Sequence, residues 1–180
     1  GKFGMSRIML LRAMNDHPNV PALHNNMGVI YLSENKQKQA IGSFRKAMEI
    51  EPNYPFASVN LGTIYLEFRD YKKAADTLGV GYEATKSDLR RGSGRAIEIA
   101  NNFAVALSGA GDLDRSKEVF QKILKNDEQN AHTLYNYAVL LVARMRNKKE
   151  GEKIIARLKF LGEGSMQKRI DELEKMLPGS

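Results

Sequence analysis

Four asparagines, Asn26, Asn60, Asn102 and Asn136, recur at intervals of 34, 42 and 34 residues. Each is followed by a large apolar residue and then a small one: Met27-Gly28, Leu61-Gly62, Phe103-Ala104 and Tyr137-Ala138. A carboxamide offers two donors and one acceptor without charge. Repeated along a surface, such groups pair with both the N–H and the C=O of a passing main chain. They would hold an extended peptide with little regard to its side chains, as the edge of a sheet does.

Other reactive residue types offer less. His17, His24 and His132 show no ligand spacing with each other or with paired carboxylates, so no metal site is expected. Cysteine is absent, which excludes disulfides, thiolate metal sites and a cysteine nucleophile. Gly79-Val80-Gly81 and Gly92-Ser93-Gly94 lack the strand and helix context of a phosphate-binding loop. Acidic residues are scattered, with no pair set apart as acid and base. Eight methionines suit a pliable core or a greasy groove. The expectation is a non-catalytic protein without a cofactor.

The elements that position the asparagines follow from the same echo. Pro18-Asn19, Ile30-Tyr31-Leu32 and Ala40 fall on Pro52-Asn53, Ile64-Tyr65-Leu66 and Ala74 at the 34-residue shift. Each period holds two apolar stripes of helical spacing, helix A with Leu23, Met27, Ile30 and Tyr31, and helix B with Ala40, Phe44, Ala47 and Met48. Such a period marks a stacked helical array with one long concave surface. Small residues should let the paired helices cross closely: Gly28 with Ala40, Gly62 with Ala74, Ala104 with Ser116. Asn35 suits a left-handed turn between helices. After Lys86 the period slips by eight residues through the polar run Ser87–Arg95, expected to form a basic loop between repeats. Helix B of the last period is displaced by one residue, with Gly151 in the small position. Gly4 to Asn15 looks like a helix B without its helix A, and Ser165 is placed to cap a final amphipathic helix carrying Met166, Ile170, Leu173, Met176 and Leu177.

These residues resemble the tetratricopeptide repeat, whose pattern runs Leu-Gly then Tyr in helix A, and Ala, Phe, Ala then Pro in helix B. The resemblance is strongest for Met27-Gly28, Tyr31, Ala40, Phe44, Ala47 and Pro52, and weakest after Ala131. It implies an all-α, right-handed solenoid of about four repeats in one domain over 1–180. The expected parts are an N-terminal helix (1–20), repeats over 21–54, 55–88, 97–130 and 131–164, an inserted basic loop (89–96) and a capping helix (165–180). Within the family the chain looks like bacterial scaffolds of pilus, secretion or gliding-motility machinery.

The family lines its concave groove with helix A. That placement makes Asn26, Asn60, Asn102 and Asn136 groove residues, with Asn25, Val29, Phe56, Val59, Thr63, Asn101, Val105 and Tyr135 around them. The partner so implied is an extended or helical segment of another protein. The alternative is that the amides bond only the neighbouring helices. Recognition of heat-shock-protein tails is disfavoured, because the positions of that carboxylate clamp read Asn25, Val29, Glu98 and Asn102, without its cations.

Two further partner classes remain open. The unpaired first helix leaves a side that a second copy would cover, giving a homodimer. The net charge of +7 admits a polyanion at Arg90, Arg91 and Arg95, with a second basic excess from Arg144 to Lys159. Scattered cations on helices usually form a solvated face, so nucleic acid is the weaker expectation. No apolar run approaches the ~20 residues of a membrane span. The chain starts in mid-pattern without an initiator Met. The compartment is therefore open, cytoplasmic or, after loss of a leader, bacterial periplasm or cell envelope.

Overall fold

Apolar stripes of period near 3.6 make every regular element among the described residues a helix. The structure, a computed structural model, describes residues 2–162 and 164–177. It divides into two units, residues 1–85 and 86–180.

The first unit contains α1 (Lys2–Asp16), α2 (Pro21–Ser33), α3 (Gln37–Ile50), α4 (Pro55–Glu67) and most of α5 (Tyr71–Leu89). Pro21 and Pro55 open their helices, where a missing N–H costs nothing and the fixed φ is already helical. Asn35 and Arg69 close the A–B turns at φ 57. The next amides, of Lys36 and Asp70, donate back to the Tyr31 and Tyr65 carbonyls at 2.8 and 2.9 Å. Ala40, Phe44 and Ala47 of α3 pack with Ala57, Leu61 and Ile64 of α4 to form a buried core.

The glycines of the A helices are also pressed by the large residue one turn beyond the small one. A Cβ added at Gly28 would lie 2.5 Å from the Phe44 ring, and one at Gly62 would lie 2.5 Å from Cγ of Leu78. Ala40 and Ala74 are fully buried, and the large residue four positions later presses on the glycine as well.

The second unit contains α6 (Gly94–Ala110), α7 (Leu113–Asn126), α8 (Ala131–Val139), α9 (Lys148–Leu161), a 3-10 turn (Gly164–Met166) and α10 (Gln167–Lys175). A π-helical turn, Leu140–Arg144, prolongs α8. Asp112, Asn130 and Asn147 cap α7, α8 and α9 by accepting from the amides of Arg115, Thr133 and Glu150. The Ser116 hydroxyl, buried at an expected crossing point, donates to the Ala104 carbonyl at 2.7 Å. α10 packs on α8 and α9 with Ile170 and Leu173 buried.

Two local expectations are corrected. The segment 89–96 is not a loop of that length. Helix α5 continues to Leu89, which is 3% exposed, and α6 begins at Gly94, so only a short turn separates them. Burial of Leu89 and Ala96 holds both ends of the segment in helix. The residue preceding α10 is Met166, which makes no cap bond, and Ser165 lies within the 3-10 turn. The Ser165 side chain is outside the described residues.

Candidate functional site

The asparagine series sits at one register on the first helix of each pair: Asn26 on α2, Asn60 on α4, Asn102 on α6 and Asn136 on α8. None is fully buried: Asn26 is exposed and the other three are half-buried. Their bonding differs between units. In the first, the Asn60 carboxamide nitrogen donates to Oδ1 of Asn25 at 2.9 Å, and Asn25 donates to Oδ1 of Asn26 at 3.4 Å. Asn60 therefore ties α4 to α2. In the second, among the described residues, the Asn102 and Asn136 carboxamides make no hydrogen bond within the chain.

The flanking candidates divide by exposure. Asn25 and Asn101, expected to line a groove, are buried at 7% and 3% exposure. Asn25 is satisfied by Asn60, whereas Oδ1 of Asn101 has no protein partner. Val29 and Phe56 are exposed, and the Phe56 ring lies 5.4 Å from that of Tyr54. Val59, Thr63 and Val105 are half-buried. Tyr135 is half-buried and carries the Arg169 guanidinium of α10 at 5.5 Å over its ring. One face of the expected aromatic anchor is thus already occupied by a cation within the chain.

Of the basic candidates, Arg90 and Arg95 are exposed, and Arg91 pairs with Asp88 at 3.3 Å. His24 is spent on structure, its Nε2 donating to the Pro18 carbonyl at 2.7 Å. Among the described residues no group of histidines and carboxylates is arranged to hold a metal. No described helix is long and apolar enough to cross a membrane.

Sequence reasoning missed a polar network on the second unit. Tyr137 donates to Oε1 of Glu150 at 2.6 Å, while Lys117 at 2.6 Å and Asn147 at 3.1 Å donate to Oε2. Gln121 donates to the Tyr137 hydroxyl at 3.1 Å. Burial alone would raise the Glu150 carboxyl, but the hydrogen bonds from Lys117 and Tyr137 outweigh it and hold it below its ordinary 4.5. Burial, and then the bond to Glu150, push the Tyr137 phenol well above its ordinary value. The network ties α7, α8 and α9.

Residues 21–54 and 97–130 match the family model described as tetratricopeptide repeat. No curated protein matches the sequence. Among solved structures the chain is similar to MamA 41-end from Desulfovibrio magneticus RS-1, with 20% identity, 90% of this chain and 86% of that one covered, and a TM-score of 0.73. It is also similar to MamA AMB-1, at 16% identity over 91% and 85% of the two chains with a TM-score of 0.73. PilF of Pseudomonas aeruginosa is 17% identical over all of this chain and 86% of its own, with a TM-score of 0.68. At such identities the likeness establishes the shared α-solenoid fold of paired antiparallel helices.

Proposed function

We propose that this chain, a tetratricopeptide-repeat protein, is a non-catalytic scaffold that binds a segment of a partner polypeptide along its A helices. The observation that carries this reading is the register of Asn26, Asn60, Asn102 and Asn136 on α2, α4, α6 and α8. Helical arrays build extended binding surfaces from residues at repeated positions. The free amides of Asn102 and Asn136 are the best placed to bond a partner's main chain, and Val29 and Phe56 add exposed apolar area. The test is capture from native lysate by the wild type and by an Asn102→Ala, Asn136→Ala variant, compared by mass spectrometry. At least one partner should fall by about tenfold or more, a loss of about 1.4 kcal/mol. The melting temperature should stay in place. Identical capture removes the asparagines from the account.

A second reading rests on α1, where Ile8, Met9 and Leu11 are all exposed. An apolar face of this kind suits assembly with another copy. Light scattering should then give a mass above the monomer, and Ile8→Glu with Leu11→Glu should return it to the monomer. Arg90, Arg91 and Arg95 gain no such support as a polyanion site, because Arg91 is already matched by Asp88.

A further inference from the structure

Helix α9 places Lys149, Lys153 and Arg157 four residues apart, and Phe160 follows three residues later. Residues at this spacing share one helix face, with successive cations about 6 Å apart along the axis. Phe160 is 89% exposed, more than any other large apolar side chain among the described residues. Two clefts adjoin this row. One, of about 500 Å³, is lined by Asn147, Lys149, Lys153, Ile154 and Arg157, with the already neutralised Glu150 among them. The other, of about 370 Å³, lies between the α7–α8 turn and α9, with Leu134, Ala156 and Leu161 as apolar wall, Glu128 and Gln129 on the turn side and Phe160 at its edge.

Arg157 lines both clefts and is fixed there, its Nη2 donating to the Glu128 carbonyl at 2.5 Å. The other charges of α9 are largely accounted for. Glu150 is matched by Lys117 at 2.6 Å, and Lys159 by Glu174 at 2.6 Å. Lys149 and Lys153 form no ion pair among the described residues. The result is a row of three cations, with Lys153 also acting on Glu150, that runs toward a cleft with an apolar wall beside an exposed aromatic ring.

We propose that this face docks an acidic segment of another protein, distinct from the asparagine series. Its carboxylates would pair with Lys149, Lys153 and Arg157, and one apolar side chain would enter the cleft beside Phe160. Charge complementarity selects an acidic partner. The apolar wall and Phe160 select a protein, since an aromatic anchor beside a cleft is the usual centre of a protein interface. A phosphate backbone finds only one short row of cations here, with Glu152 on the same helix. Duplex binding typically recruits several more phosphate contacts.

The probe is a fluorescent poly-glutamate peptide interrupted by one leucine, followed by anisotropy at low salt. Binding should saturate and weaken with added salt. Lys149→Glu with Lys153→Glu should weaken it by about tenfold or more, and Phe160→Ala by about fivefold. All three side chains are exposed, so the thermal transition should not move. A probe with serine for leucine should bind more weakly and lose its sensitivity to Phe160→Ala. The Asn102→Ala, Asn136→Ala variant should bind the probe as the wild type does, which separates this face from the proposed groove. The proposal is overturned if the leucine probe does not saturate or if neither α9 variant weakens it. It is also overturned if a single-stranded oligonucleotide or a phosphatidylserine vesicle binds more tightly than the peptide.

Discussion

Asn60→Ala and Asn102→Ala should have unequal consequences, although the two residues occupy the same repeat position. Asn60 donates at 2.9 Å to Oδ1 of Asn25, whose side chain is 7% exposed. Removing the donor loses a hydrogen bond worth about 0.5–1.5 kcal/mol and leaves a buried acceptor unmet at a cost of about 1–3 kcal/mol. Water reaches the half-buried Asn60 position and recovers part of this, so a loss of about 1.5 kcal/mol is expected. For a chain of this length that lowers the melting temperature by about 3–6 °C. Asn102 has no such partner, so Asn102→Ala should stay within about 0.5 kcal/mol of the wild type. Circular dichroism through thermal and urea transitions gives both numbers. A cycle of Asn25→Ala, Asn60→Ala and the double variant should return a coupling of about 1 kcal/mol. Equal shifts for Asn60→Ala and Asn102→Ala, or no coupling between Asn25 and Asn60, would refute the division of the series into a structural and a free half.

Gly28→Ala should destabilise by about 1–2 kcal/mol, because the strain of overpacking against Phe44 exceeds the helix-propensity gain. Gly42→Ala in α3, which meets nothing within 4 Å, should stabilise by about 0.5–1 kcal/mol, and urea midpoints give both signs. Glu150 has a folded-state value below its ordinary 4.5, so its contribution is present above that pH and is lost as pH falls through the folded value. Glu150→Gln should therefore be less stable than the wild type at pH 7 but lose less stability on acidification below 4.5, read from denaturation midpoints across pH.

The helices were legible because burial of one face forces a periodic pattern, and the 34-residue echo shows it twice before the slip. The A–B turns were legible only where residue type carries the signal. Asn35 announces a left-handed residue, but Arg69 adopts the same φ of 57 with no sign in its side chain. There the geometry is imposed by the helices on either side. The run 87–95 looks like a loop because it is polar and contains two glycines. Its first three residues, ending at the buried Leu89, nevertheless stay in α5. The asparagines were legible as a series but not as unequal members. Whether a carboxamide is free depends on what the preceding repeat places beneath it, here Asn25 bonded under Asn60 and Asn101 unbonded in the other unit.

The one-residue displacement before Gly151 has a physical cause in the π-helical turn Leu140–Arg144. In the earlier repeats the amide after the left-handed residue reaches back five positions, as from Lys36 to Tyr31 and Asp112 to Leu107. In the last repeat the corresponding amide, Asn147, reaches back six, to Leu141 at 2.8 Å, and the left-handed residue is Arg146. One residue has been absorbed in a widened turn. The shift moves the small residue to Gly151, where an added Cβ would meet Val142 at 2.7 Å. Glu150 stands at the third position of α9, behind its cap Asn147, as Arg115 stands behind Asp112 in α7. There the carboxylate reaches Tyr137 and Lys117 as well as the cap. Cap and small residue keep the spacing of the preceding repeat, Asp112 to Ser116 and Asn147 to Gly151, so deleting one residue of the turn should restore the 34-residue spacing without rotating α9. The widened turn is thus what lets the last repeat carry one extra residue while Glu150 keeps its place between Tyr137 and Lys117.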